Sequence, residues 1–152
     1  MSGLKNSDLE KLLKNIIGKN FLGVYPSDIA PKSKQENFCM VFNLSPHDQP
    51  GSHFVGVIKF KNKIIYFDPF GEECNEKHIL NFLHLFNLQI ETNRWKIQNE
   101  LSIFCGIFCT LFLCVCFKDR KPLSYLQQLF PNEGLKTNDN DAVTFILKSL
   151  NK

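Results

Sequence analysis

An almost uninterrupted apolar block in the second half of the chain constrains the fold most strongly. It runs for 15 residues from Ile103 to Phe117, with only Gly106 and Thr110 between its apolar side chains. A membrane-spanning helix needs about 20 apolar residues, so this block predicts a helix buried in a protein core. The chain has 152 residues, 43% of them hydrophobic and 22% charged, as in an ordinary globular protein. We therefore expect one domain over residues 1–152, built around this helix.

The block also holds four of the six cysteines. Residues 1–17 are polar and amphipathic and lack the apolar centre of a signal peptide, so we expect a protein that is not secreted, with reduced thiols. Cys105, Cys109 and Cys116 are four and seven residues apart, on one helix face, where disulfide geometry is poor. Cys105 comes first and follows a polar segment. Cys109, Cys114 and Cys116 are predicted to be core packing.

The rest of the chain mixes helical and strand patterns without the regular alternation of a doubly wound fold. Helices are predicted from a Ser7–Glu10 capping box to Gly18, over residues 76–86, over residues 124–130 before Pro131, and from Ala142 to Leu150 behind a cap at Asn140 or Asp141. Extended segments are predicted at residues 20–28, 36–44, 53–60, 63–70 and 88–99, with a loop at 45–52. This pattern predicts an α+β domain with a mixed sheet.

Two of the extended segments are predicted to form a β-hairpin. If residues 61–62 make a two-residue turn, counting outward along both strands places His53 opposite Phe70. Asp68 then lies diagonally across from His53 on the same face, within reach of its side chain. A three-residue loop would put the two side chains on opposite faces. A carboxylate in this position can fix the tautomer of an imidazole and stabilise its protonated form.

A cysteine at the start of the apolar helix suggests nucleophilic chemistry. The positive end of the helix dipole favours a thiolate there, and a neighbouring histidine makes it a good nucleophile near neutral pH. The backbone N–H of Cys105 and the side-chain amide of Gln98 could stabilise an oxyanion. We interpret His53, Asp68, Gln98 and Cys105 as one catalytic set. Taken singly, they would be an ordinary strand histidine, a turn carboxylate, a surface amide and a packed thiol.

A metal site is the first of two further possibilities. Cys74, His78 and His84 are residue types that bind zinc. Their offsets of four and six do not align on one helix face. We therefore predict no metal ligand in the chain.

The basic residues raise the second possibility, contact with DNA. They lie on the hairpin, before Gln98 and after the apolar block: Lys59, Lys61, Lys63, Arg94, Lys96, Lys118, Arg120 and Lys121. The net charge is only +3, so we interpret these side chains as a solvated surface. Phosphate contacts with DNA are the alternative.

The order of these motifs resembles the adenovirus endopeptidase (adenain) family. His53 precedes Asp68 in "FDPFG", and Gln98 precedes Cys105 in "CGIFC" by seven residues, as in that family. The segments "NFLGVY", "CMVFNL" and "GSHFVGVIKF" are also similar to family segments in the same order. The similarity extends from Phe21 to Phe117.

This resemblance implies a papain-related α+β fold, shared with proteases of ubiquitin-like proteins, whose central buried helix starts at the catalytic cysteine. It implies that Cys105 attacks, His53 acts as general base, Asp68 orients the imidazole and Gln98 completes the oxyanion hole. The implied activity is cleavage of virion precursor proteins at glycine-containing sites during maturation, by a monomer in the host nucleus or cytoplasm and the virion. The partners are polypeptides, with DNA as a further possibility and no membrane.

Three departures from the family pattern modify these expectations. Asp68 stands where adenovirus enzymes usually have Glu, and proteases of ubiquitin-like proteins use Asp, so a deconjugating protease is the alternative. Phe54 replaces the Trp that often follows the catalytic His. Residues 88–97 contain no cysteine, so the disulfide-linked activating peptide of the family is not expected, and no cofactor is required beyond possible activation by a viral peptide or DNA. An inactive pseudo-protease serving as a structural or DNA-binding virion component is the alternative from another class.

Overall fold

The computed structural model describes residues 5–44, 53–98, 105–131 and 136–150. The strands are β1 (Phe21–Pro26), β2 (Phe38–Asn43), β3 (Phe54–Lys59), β4 (Lys63–Phe67) and β5 (Gln89–Thr92). The helices are α1 (Asn6–Ile17), α2 (Lys77–His84), α3 (Cys105–Phe112), α4 (Leu123–Leu129) and α5 (Lys136–Leu150), and a π-helical segment (Leu113–Lys118) continues α3. The predicted loop at residues 45–52 lies outside the described residues.

The strands form one mixed sheet in the order β1-β2-β3-β4-β5. The two outer pairs, β1 with β2 and β4 with β5, are parallel, whereas the two inner pairs are antiparallel. The α+β class and the mixed sheet predicted from the sequence are therefore confirmed. Every residue of β2 is buried, as expected for a central strand with both faces covered.

Helices cover both faces of this sheet. One face packs against α1, α3, the π-helical segment, α4 and α5, and the apolar block supplies much of that core. The other face packs against α2 through residues such as Phe82 and Tyr66. The prediction that the apolar block forms a buried helix is confirmed, because every described residue from Cys105 to Phe117 except Ile107 is buried. Within the described ranges, no helix is long and apolar enough to cross a bilayer.

A close approach of backbone to side chain fixes the position of α3 on the sheet. A Cβ atom added at Gly56 in β3 would lie 2.6 Å from the ring of Phe112. The same ring stacks on Phe67 of β4, with the centroids 4.7 Å apart. Only glycine therefore leaves room for this ring against β3, and the central strands hold α3 directly.

Two predicted helix starts are wrong. The residue that caps α1 is Lys5, without a side-chain cap, and not Ser7. Glu10 does not complete a capping box, because its carboxylate accepts a hydrogen bond from the backbone N–H of Val24 at 3.0 Å. A tertiary partner thus replaces the local one, although α1 ends at Gly18 as predicted. The last helix begins at Lys136, so neither Asn140 nor Asp141 is its cap.

Candidate active site

The β3–β4 hairpin has the predicted two-residue turn. The pairs run from Gly56 opposite Phe67 to Lys59 opposite Ile64, which is the register predicted for a turn at residues 61–62. Counting onward in the same register, beyond the last paired residues, reaches His53 and Phe70 at the open end of the hairpin.

His53 and Phe70 face each other at that open end, as this register predicts. Their rings stack with centroids 4.6 Å apart and an interplanar angle of 14°. Leu44 donates its backbone N–H to the carbonyl oxygen of His53 at 2.9 Å. The histidine is therefore held through both its backbone and its ring.

Asp68 contacts the histidine directly. Its Oδ1 lies 2.8 Å from Nε2 of His53, so the predicted diagonal contact is present. The same oxygen accepts a hydrogen bond from the backbone N–H of Phe70 at 2.8 Å. Asp68 is buried, and these two donors fix the direction of its carboxylate. Because Nε2 faces Asp68, Nδ1 is the ring nitrogen left for another partner.

The thiol of Cys105 is that other neighbour. Cys105 begins α3, and its side chain is hydrogen-bonded to His53. The structure therefore brings together three of the four residues interpreted as catalytic. Cys105 keeps 4% of its surface exposed, and the side chain of His53 keeps 17%. Access to the sulfur atom from solvent is consequently narrow.

The protonation of His53 reflects opposing influences. Burial lowers its pKa, whereas hydrogen bonds to Asp68 and Cys105 and electrostatic interactions with the same two residues raise it. The raising effects dominate and bring the pKa of His53 to about 9. At neutral pH the ring is therefore an imidazolium between Asp68 and Cys105.

The backbone of Gln98 is tied to the turn that carries Asp68. Its backbone N–H donates to the carbonyl oxygen of Pro69 at 3.1 Å, and the N–H of Ile97 donates to the same oxygen at 2.9 Å. Gln98 is fully buried and is not a surface amide. The polar segment predicted to precede Cys105, residues 99–102, lies outside the described residues.

Two buried asparagines near Gln98 did not stand out in the sequence. Asn93 bonds to both backbone polar groups of Asp68. Asn138 of α5 donates from Nδ2 to the carbonyl oxygen of Ile97 at 2.9 Å. The only sequence signal for Asn93 is an amide directly after a strand. Asn138 was missed because the last helix was predicted to begin only at Ala142.

The remaining thiols of the block are deeply buried. Burial raises the pKa of Cys109 well above its usual value, that of Cys114 to about 11 and that of Cys116 to about 12. None of the six cysteines, all of which lie in the described ranges, forms a disulfide. The prediction that Cys109, Cys114 and Cys116 are core packing is therefore confirmed, whereas the reduced state of the cysteines stays a prediction.

The possible metal ligands do not come together. Across the described part of the chain, no group of three His, Cys, Asp or Glu side chains could hold a metal ion. Cys74 instead lies beside the hydroxyl of Tyr66 and the backbone of Glu76. His78 and His84 are both exposed.

Several of the basic residues lie over aromatic rings. The guanidinium of Arg120 lies 4.5 Å from the centroid of Phe60 and 4.7 Å from that of Phe117. Lys59 lies over Phe38 and donates to the carbonyl oxygen of Glu36 at 2.8 Å. The β3–β4 hairpin and the residues that follow the π-helical segment therefore form one continuous surface around Arg120.

Comparison with known proteins links this chain to an adenovirus protein. No protein-family model matches the chain. A protein named Protease from bovine adenovirus 4 is 27% identical over 148 residues, covering 86% of this chain and 73% of that protein. The chain therefore resembles an adenovirus protease along most of its length, which confirms the resemblance inferred from its motifs.

Proposed function

We propose that the chain is a viral cysteine endopeptidase, with residues 1–152 forming one protease domain of the papain-related adenain type. One observation carries the proposal: His53 contacts the carboxylate of Asp68 on one side and the thiol of Cys105 on the other. The similarity to a protein named Protease from an adenovirus supports a viral protease role. The α+β fold with a mixed sheet is compatible with it.

The three side chains can supply the nucleophile, the proton carrier and the orienting carboxylate of an acyl transfer. The reactive pair is the thiolate of Cys105 beside the imidazolium of His53, formed when the thiol proton passes to the neutral imidazole. The thiolate sulfur attacks the carbonyl carbon of the scissile peptide bond and forms a C–S bond, while an electron pair of the carbonyl group moves to its oxygen. The C–N bond then breaks, and His53 gives its proton to the departing amine. Water attacks the resulting thioester and His53 takes one of its protons. The C–S bond then breaks, which releases a carboxylic acid that loses its proton to solvent and restores the thiolate beside the imidazolium. Asp68 keeps the imidazole oriented and stabilises its charged form throughout.

The developing oxyanion needs hydrogen-bond donors. The backbone N–H of Cys105, at the start of α3, is the first donor in this proposal. The side-chain amide of Gln98 is the second donor in this proposal, because its backbone is tied to the turn that carries Asp68. Losing one such donor typically reduces kcat about 100- to 1000-fold. Replacing Gln98 with Ala should therefore lower kcat more than it raises KM.

The proposed substrates are virion precursor proteins cut at glycine-containing sites, and the protein is proposed to act as a monomer in the host cell and the virion. A deconjugating protease for ubiquitin-like proteins is the second candidate, which the choice of Asp at position 68 favours. Cleavage of precursor peptides with internal Gly sites, measured against fusions of ubiquitin-like proteins ending in Gly-Gly, separates the two. A Cys105→Ala variant is the control for contaminating proteases.

The outcomes of this assay are distinct. Cleavage of the precursor peptides by the wild-type chain, but not by Cys105→Ala, supports a role in maturation. Preferential cleavage of the fusions supports deconjugation. If neither is cut, with or without added viral peptide or DNA, the enzyme proposal fails and a structural virion protein is the better explanation.

DNA is a possible partner in this proposal. The surface around Arg120 and the exposed Lys61 carries positive charge and could contact phosphates. Binding of a DNA duplex that weakens steeply as salt rises would support the contact. A lack of binding at low salt would remove DNA from the proposed partners.

A further inference from the structure

The buried side-chain amide of Asn93 lies beside the site, at the end of the β4–β5 ladder. The ladder between β4 and β5 ends at Tyr66 opposite Thr92. Asn93 follows immediately and is 3% exposed. Its Oδ1 accepts the backbone N–H of Asp68 at 3.0 Å, and its Nδ2 donates to the carbonyl oxygen of Asp68 at 2.6 Å. One side chain thus replaces the missing strand partner on both backbone groups of Asp68.

The same amide also contacts the segment that leads to Gln98. Nδ2 of Asn93 donates to the carbonyl oxygen of Trp95 at 2.9 Å. This carbonyl group is in close contact with Gly71, where an added Cβ would lie 2.7 Å from the carbon and oxygen atoms of Trp95. The turn from Asp68 to Gly71 and the segment from Asn93 to Gln98 are consequently packed backbone to backbone.

We propose that Asn93 is a positioning residue for the catalytic set, which holds the acid turn and the Gln98 segment as one rigid unit. This inference rests on the proposed function. Asn93 touches none of the reacting atoms and acts through Asp68. Its three hydrogen bonds all run to backbone atoms, and two of them fix the position of the Asp68 backbone. They therefore determine the geometry of the hydrogen bond between the Asp68 carboxylate and Nε2 of His53.

The test uses the full chain with Asn93→Ala and the milder Asn93→Ser, whose hydroxyl can keep part of the contact. Asn20→Ala is the matched control, because Asn20 also donates from its side-chain amide to a backbone carbonyl, that of Asn37 at 3.0 Å. It lies at the opposite end of the strands, where Phe21 pairs with Cys39.

Two measurements report on the geometry of the site, and a third reports on the stability of the fold. The first is the rate at which iodoacetamide alkylates Cys105, identified by peptide mass analysis. The second is the titration of His53 followed by NMR, and the third is the melting temperature. We expect Asn93→Ala to slow alkylation at neutral pH at least tenfold and to lower the titration midpoint of His53 by at least one pH unit. Asn93→Ser should fall between wild type and Asn93→Ala, and Asn20→Ala should stay within twofold of wild type.

The results that would overturn the inference are equally specific. A lower melting temperature in Asn93→Ala with an unchanged alkylation rate and an unchanged His53 titration would leave Asn93 a purely structural residue. Failure of both Asn93 variants to fold, while Asn20→Ala folds, would also assign Asn93 to the fold and not to the site.

The proposed function can fail separately. If wild-type alkylation proves independent of His53 but Asn93→Ala still shifts the His53 titration, the positioning role stands and the protease proposal falls.

Discussion

The imidazole of His53 stacks almost parallel to the ring of Phe70, at a centroid distance of 4.6 Å. Asp68 lies two residues before Phe70 and bonds to the edge of the same imidazole at 2.8 Å. One turn therefore supplies both the face contact and the edge contact of the histidine. Its ring can rotate only by losing one of them.

Removing the stacking partner should loosen the histidine. In Phe70→Ala the ring gains rotational freedom, and misplacement of a catalytic group by about 1 Å can cost about 100-fold in rate. We expect the alkylation rate of Cys105 to fall at least tenfold. Phe70→Tyr, which keeps an aromatic face at this half-buried position, should react like wild type. Equal rates for Phe70→Ala and Phe70→Tyr would show that stacking does not orient the ring.

The raised pKa of His53 makes folding stability depend on pH. The pKa is about 9 in the folded chain against a usual 6.5. A group whose pKa is raised on folding contributes its full stabilisation below the unfolded value and loses it as pH rises through the folded value. Stability should therefore decline between about pH 6.5 and 9, by up to about 3 kcal/mol from this group.

Asp68→Asn tests the source of this dependence. Without the carboxylate, the pKa of His53 should fall, and the decline in stability over that pH range should become much smaller. Urea unfolding at several pH values, compared between wild type and Asp68→Asn, measures the difference. Parallel stability curves for the two proteins would mean that Asp68 does not hold the proton on His53.

The glycine of the acid turn offers a steric test. Gly71 has a φ of +71°, and an added Cβ would lie 2.9 Å from Lys96 N and closer still to Trp95. Gly18 is a matched control, with a φ of +91° and no atom within 4 Å of an added Cβ. Both alanine substitutions strain the backbone, by about 1 to 3 kcal/mol, but only Gly71→Ala also pushes the turn from its partner segment.

Gly71→Ala should consequently lower the free energy of unfolding by more than Gly18→Ala and should also slow the alkylation of Cys105. Urea unfolding and the labelling rate check both effects. Equal losses of stability would show that the backbone contact between Gly71 and Trp95 is not tight in solution.

The sequence predicted the hairpin correctly because its register depends on one local choice, the length of the turn at residues 61–62. The two-residue turn places the side chains of His53 and Asp68 on the same face of the hairpin, and this alone predicted their contact. The apolar block was equally clear, since its length and composition admit little except a buried helix.

The long-range contacts were not predictable in the same way. Glu10 fits a capping box by sequence, but Val24 of β1 offers it a tertiary hydrogen bond instead. The role of Asn93 depends on the parallel pairing of β4 with β5, which no local pattern encodes. Recognising Asn138 required knowing that α5 contacts the backbone of Ile97. In each case the partner lies far away in the chain, where single-sequence patterns carry no signal.

The most direct test of the central claim is the alkylation of Cys105 by iodoacetamide in wild type and in His53→Ala at neutral pH, with the modified cysteine identified by mass analysis. If the imidazolium of His53 activates the thiol of Cys105, iodoacetamide should alkylate Cys105 before the half-buried Cys74. The alkylation rate of Cys105 should fall at least tenfold in His53→Ala. Equal rates at Cys105 in the two proteins, or no reaction at that thiol in folded wild type, would contradict the proposed catalytic role.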